Sequence, residues 1–190
     1  MEPIRELIAV DLEMTGLQVK TDRILEIGAV RLVDGQLRDT FQTFVNPHRR
    51  IDARITELTG IRSEMVEDAP EAEEALRKFL EFAGEAPFLG HNVIFDYSFL
   101  KQCAVNHKIS LERSALDTLK IARKVLKEPE KKSLEALCGY FQIDREHAHR
   151  AVDDAKATAE LFLMLQQKYQ QQEPGLFVPK PLHYKVKKQG

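Results

Sequence analysis

The apolar run Leu7-Ile8-Ala9-Val10 reads as a buried strand, and Asp11-Leu12-Glu13-Met14 carries it on. Strand side chains alternate faces, so Asp11 and Glu13 point to one side and Leu12 to the other. Thr15-Gly16 breaks the strand. A polar loop through Lys20-Thr21-Asp22-Arg23 leads into a long β-type run, residues 24–33. Asp34-Gly35 is the strongest short hairpin signal in the chain. Residues 37–45 return as the partner strand, and Asn46-Pro47 ends it. The opening third therefore predicts three strands, the last two paired antiparallel. Glu26, inside the second apolar run, is expected to be a paired structural carboxylate.

The period then changes to that of helices. A short helical turn is predicted near Ile55, closed by Gly60. Asp68 and Pro70 are helix-start signals, with Glu71 three residues after Asp68. The helix they open has Ala72, Ala75, Leu76, Phe79 and Leu80 on its apolar face. Pro87-Phe88-Leu89-Gly90 reads as a short buried strand, and the following helix reaches about His107. Asp117-Thr118 starts a helix that Pro129 ends, and Ser133 caps another. A last long helix runs to about Tyr169, with Ala155, Ala159, Phe162 and Leu163 suited to packing on a sheet. Strands mixed with helices in this way predict an α/β fold, a mixed β-sheet flanked by helices.

Composition narrows the class. The chain has 190 residues, 43% of them hydrophobic and 31% charged, as expected of one soluble domain with a substantial core. No apolar run approaches membrane-spanning length. The start, Met1-Glu2-Pro3-Ile4-Arg5-Glu6, lacks a basic and apolar signal pattern, so the expected location is cytoplasmic. Cys103 and Cys138 are isolated and read as reduced thiols inside helices. The net charge of −2 means that nucleic-acid contact would be local, or would use metal ions to offset phosphates.

Three segments carry candidate chemistry. Two carboxylates side by side, Asp11 and Glu13, repel unless a divalent cation accepts both. Alone, the pair fits a solvent-facing strand edge equally. Asp96, in His91-Asn92-Val93-Ile94-Phe95-Asp96, lies in an apolar-rich helical stretch, where an acid needs a partner. In His147-Ala148-His149-Arg150-Ala151-Val152-Asp153-Asp154, acids at a helix start are ordinary dipole partners. A histidine shortly before them is unusual and can serve as a general base.

Together these segments resemble the DnaQ-like (DEDDh) 3′–5′ exonuclease family, which includes the proofreading epsilon subunit of bacterial DNA polymerase III. Asp-x-Glu with a following Thr-Gly matches Asp11, Glu13, Thr15 and Gly16. His-Asn-x-x-Phe-Asp matches His91, Asn92, Phe95 and Asp96. His-x-Ala-x-x-Asp matches His149, Ala151 and Asp154. The resemblance implies a ribonuclease-H-like fold over residues 1–170, with residues 171–190 as a Pro- and Lys-rich tail. It implies a metal-dependent phosphodiester hydrolase that releases nucleoside monophosphates from DNA 3′ ends in proofreading or repair. Asp11, Glu13, Asp96 and Asp154 would be hard oxygen ligands for two divalent ions, Mg²⁺ or Mn²⁺, with Asp11 bridging them. His149 would take the proton from the attacking water. Asp153 is expected to be a helix-start acid, and His147 a solvent-exposed neighbour without a role. Thr15, Gly16 and Leu17 would grip the terminal sugar and base, with Asn92 and Phe95 nearby. Single-stranded or frayed DNA ends are the expected partner.

Two alternatives stay open. Asp-Leu-Glu-Met-Thr-Gly-Leu, with Met14 where most of the family has Thr, resembles the oligoribonucleases, which act on short RNA. A catalytically inactive, polymerase-associated binding module would be expected to have a broken acid set. Lys120, Arg123, Lys124 and Lys127 are read as a solvated helix face. In the tail, Leu176 and Phe177 are expected to fold back over an apolar patch. Their resemblance, with Gln172, to a sliding-clamp peptide offers a second role.

Overall fold

The structure, a computed structural model, describes residues 5–145 and 149–186. It contains six strands: β1 (Glu6–Met14), β2 (Ile24–Val33), β3 (Gln36–Phe44), β4 (Phe88–Gly90), β5 (Ser114–Asp117) and β6 (Lys180–Pro181). They form one mixed sheet in the order β3-β2-β1-β4-β5-β6. Strands β2 and β3 pair antiparallel, as the hairpin signal predicts, β1 pairs antiparallel with β2, and β4 and β5 run parallel to β1. Seven helices are described: α1 (Ala53–Thr59), α2 (Ser63–Val66), α3 (Ala72–Ala83), α4 (Val93–Asn106), α5 (Thr118–Val125), α6 (Leu134–Phe141) and α7 (Ala151–Tyr169).

The pleat of β1 sorts the core into two layers. Leu7 and Ala9 join the layer beneath α5, α6 and α7, while Ile8, Val10 and Leu12 join the layer beneath α3 and α4. The next residues on the α7 side are Asp11 and Glu13, where the apolar run stops. The sheet thus presents its two acids at the end of a buried strand and under the start of α7.

Small residues set how closely α7 approaches. Ala151, Ala155 and Ala159 are fully buried. Gly28, opposite Asp11 in the β1–β2 register, lies so near that an added Cβ would stand 2.1 Å from the Ala151 carbonyl carbon and the Val152 nitrogen. Backbone on both sides leaves nothing flexible to give way. Gly28→Ala is expected to lower unfolding free energy by about 1–3 kcal/mol or more, the usual cost of overpacking. Urea unfolding measures this, and an unchanged midpoint would show that α7 is not held by that contact.

Two parts differ from the sequence expectations, the start of α3 and the edge of the sheet, whereas Leu176 and Phe177 fold back onto the core as expected. The helix expected from Asp68 begins later, with Glu71 at its N-cap and no side-chain capping bond. The short helix α2, which was not anticipated, ends at Val66, before that start. Strands β5 and β6 were not anticipated. Strand β5 is four residues long, and β6 is two exposed residues that acquire strand geometry by pairing with β5. In the tail, Pro174–Phe177 forms a single 3-10 turn. Phe177 is 2% exposed and packs against Phe162 at 6.0 Å, Leu176 lies on the same core, and Leu182 is buried beyond the edge strand. As far as residue 186, the segment beyond the last helix thus lies on the core. Both cysteines are free, and burial pushes their thiols up to about 11. Among the described residues, no helix is long and apolar enough to cross a membrane.

Candidate active site

Three elements converge at the end of β1. The strand supplies Asp11 and Glu13. The first turn of α4 supplies Asp96, and the first turn of α7 supplies Asp154. His149 stands just before α7, in left-handed backbone with φ 64°. Ligand atoms of Glu13, His149 and Asp154 all lie within 4.8 Å of one another. Asp11 and Asp96 lie outside that tight group but within electrostatic reach of it.

The helix starts are held by particular contacts. Asn92 opens α4 with φ 70°, and its N–H donates to Asp117 Oδ1 at 3.0 Å. The same oxygen accepts from Leu119 and Lys120 backbone N–H groups and so caps α5. Glu26 does the equivalent for α7. It is fully buried and receives Arg150 Nη2 at 2.9 Å and the Ala151 N–H at 3.2 Å. The expectation of a paired structural carboxylate holds, and the pair ties β2 to the helix that carries Asp154.

The acids are costly to ionise together. Burial, then repulsion from Asp96, Asp154 and Glu13, holds the Asp11 carboxyl well above its usual range, while Arg145 works the other way. Burial pushes Glu13 up to about 8, with Asp154, Glu26 and Asp96 adding to the shift. Burial also pushes Asp96 up to about 7, although the N–H groups of Asp96 and Leu12 bond its carboxylate and oppose the rise. Hard oxygen donors packed so closely fit a divalent cation, which relieves the repulsion that protons otherwise relieve.

Arg145 is a site residue that the sequence reading missed. Its Nε and Nη2 donate to Asp154 Oδ1 at 3.0 and 2.5 Å, and both side chains are about nine-tenths buried. Nine positions separate the two, and no periodicity links them, because Arg145 lies outside the helix. Asp153 behaves as expected of a helix-start acid and pairs with Lys156 at 3.3 Å. His147 lies outside the described residues.

The residues expected to grip substrate are divided. The Thr15 hydroxyl is already engaged, donating to Asp22 Oδ1 at 3.2 Å and accepting the Arg23 N–H at 2.9 Å. Gly16 leaves room for that Asp22 carboxylate, which a Cβ would meet at 2.4 Å. Leu17 is 76% exposed, an open apolar side chain at the loop tip. Asn92 is exposed, and Phe95 is half-buried, edge-on to Phe99 at 5.5 Å.

Comparison with known proteins agrees with this geometry. The profile of the RNase_T exonuclease family matches residues 8–162. The PolC-type DNA polymerase III of Caldanaerobacter subterraneus subsp. tengcongensis is 45% identical over 166 residues, which are 87% of this chain and 12% of that protein. The Bacillus subtilis PolC-type enzyme is 37% identical over 161 residues, 83% of this chain and 11% of that protein. The chain thus spans about a tenth of the length of these relatives. Among solved structures, exonuclease X in complex with 5′ overhanging duplex DNA superposes with a TM-score of 0.73 at 25% identity, covering 90% of this chain and 99% of that one. The nuclease domain of 3′hExo, a DEDDh family member bound to rAMP, superposes with a TM-score of 0.76 at 20% identity, covering 87% and 94%.

Proposed function

This chain belongs to the RNase_T exonuclease family, and on that premise we propose that it trims DNA from free 3′ ends, releasing nucleoside monophosphates. The observation that carries this reading is the convergence of Glu13, His149 and Asp154 within 4.8 Å, with Asp11 and Asp96 electrostatically coupled to them. Asp11, Glu13, Asp96 and Asp154 would hold two divalent cations, Mg²⁺ or Mn²⁺, of the kind the family implies. Such ions supply charge neutralisation at the phosphate and acidify water. His149 accepts the proton of the attacking water, and its exposure lets it pass that proton to solvent. Leu17, Asn92 and Phe95 would contact the terminal nucleotide, while Thr15 and Gly16 shape the loop through Asp22.

The PolC-type relatives support a proofreading or repair role beside a replicative polymerase, in the cytoplasm. A sliding-clamp contact through Gln172, Leu176 and Phe177 would require Phe177 to leave its place against Phe162. The polymerase itself is therefore the better-supported partner.

A nuclease assay on single-stranded DNA, paired and mismatched duplex ends, and RNA dinucleotides tests the reading. We expect monophosphate release from 3′ ends, fastest on single-stranded and frayed DNA, because a paired terminal base must first be unstacked. A large preference for RNA dinucleotides would replace the reading with the oligoribonuclease one suggested by Met14. No hydrolysis of any substrate would leave a binding module.

A further inference from the structure

The basic segment that runs through α5 to the start of α6 is unused by the chemistry above. Residues 120–132 contain six Lys or Arg against two Glu, in a chain of net charge −2. In the fold these cations do not only line a solvated helix face. Arg123, Lys131 and Lys132 meet His91 and Asn92 around an open groove of about 740 Å³, with Glu130 as the acid on its wall. Arg123 and Lys131 are exposed and make no ion pair among the described residues. The Lys132 ammonium donates to the carbonyls of Lys127 and Pro129, which brace the loop without cancelling its charge.

The groove is built onto the β4–α4 connection, which leads to Asp96. His91 bonds Thr118 Oγ1 through Nδ1 at 2.9 Å and the Lys132 carbonyl through Nε2 at 2.8 Å. One ring thus ties the basic loop to the β4–α4 connection. Asp96 lies four residues beyond Asn92, about 6 Å along the helix at 1.5 Å per residue. That is roughly one nucleotide step. The floor is apolar, made by Leu119, Leu126 and Leu134. Duplex backbone would offer such a floor only phosphates, whereas an unpaired strand can lay sugars and bases on it.

We propose that this groove is the track for the unpaired strand upstream of the scissile bond, with Arg123 and Lys131 on successive phosphates. The proposal rests on the exonuclease reading for its substrate. Its test is fluorescence anisotropy of single-stranded DNA in Ca²⁺ across a NaCl series, for the wild type and the variant Arg123→Gln/Lys131→Gln. Both side chains are exposed, so the fold is expected to persist, which a thermal melt checks. Lengthening the strand from a trinucleotide to a dodecamer is expected to strengthen wild-type binding. The variant should lose about tenfold of that gain at low salt. Its slope of log affinity against log salt should shrink by about 1.4, two phosphates at about 0.7 each. An unchanged slope overturns the proposal. So does a loss confined to strands that carry a duplex, which would place the complementary strand there instead. Wild-type protein that binds DNA but hydrolyses none in Mg²⁺ would sink the exonuclease reading, and the slopes would still decide the groove.

Discussion

Addition of Mg²⁺ or Mn²⁺ is expected to raise the melting temperature by about 5–10 °C at pH 8, and by much less at pH 5. Chelation should reduce hydrolysis to background. Asp11, Glu13 and Asp96 have carboxyls raised above their ordinary values, Glu13 from 4.5 to about 8 and Asp96 from 3.8 to about 7. Between those limits the folded protein binds protons that the unfolded chain has released. Stability without metal must therefore fall as pH rises through that window. A cation that displaces those protons binds more tightly as pH rises. At a hundred times its Kd it would add about 2.7 kcal/mol. For a domain of this size, that corresponds to roughly 2–4 °C per kcal/mol. Scanning fluorimetry at the two pH values, with and without metal, measures the effect independently of activity. Undiminished degradation in excess EDTA, or equal metal shifts at both pH values, would sink the metal-site reading.

His149→Ala is expected to lower kcat by about 10²- to 10⁴-fold, the usual worth of a positioned general base. The side chain is exposed, so little packing is lost. The backbone there is left-handed, however, and a residue with a Cβ is strained in it. His149→Asn controls for that strain, because Asn tolerates this conformation while lacking a basic nitrogen. Both variants should lose turnover and keep a near wild-type melting temperature. His147→Ala should do little. Equal losses at positions 147 and 149 would mean that the base had been assigned to the wrong histidine, and full activity in His149→Asn would remove the general-base role.

Much of this molecule was legible along the chain, because the relevant signals are local. Strand β1 follows from the apolar run Leu7-Ile8-Ala9-Val10, β2 from its ten-residue, mostly apolar run, and β3 from the Asp-Gly hairpin that returns the chain beside β2. Helix α7 follows from its apolar period, and the motif residues are adjacent enough to be read as words. Strands β5 and β6 were not legible. Residues 114–117 are too short to show alternation, and Lys180–Pro181 is a strand only because β5 offers it an edge.

By itself, then, the sequence determined the alternation of strands and helices and named Asp11, Glu13, Asp96, His149 and Asp154 as candidates. The tertiary structure alone decided how these groups are arranged: Glu13, His149 and Asp154 close together, Asp11 and Asp96 adjoining, and Arg145 paired with Asp154. It also decided that Glu26 anchors the start of α7 across 124 residues, that Gly28 lets that helix descend, and that His91 joins the basic loop to the β4–α4 connection. The physical reason is one of range. Periodicity, capping and turn chemistry act within a few residues and leave their mark on the sequence. Repulsion, ion pairing and steric approach depend on distances in space, and only packing sets those.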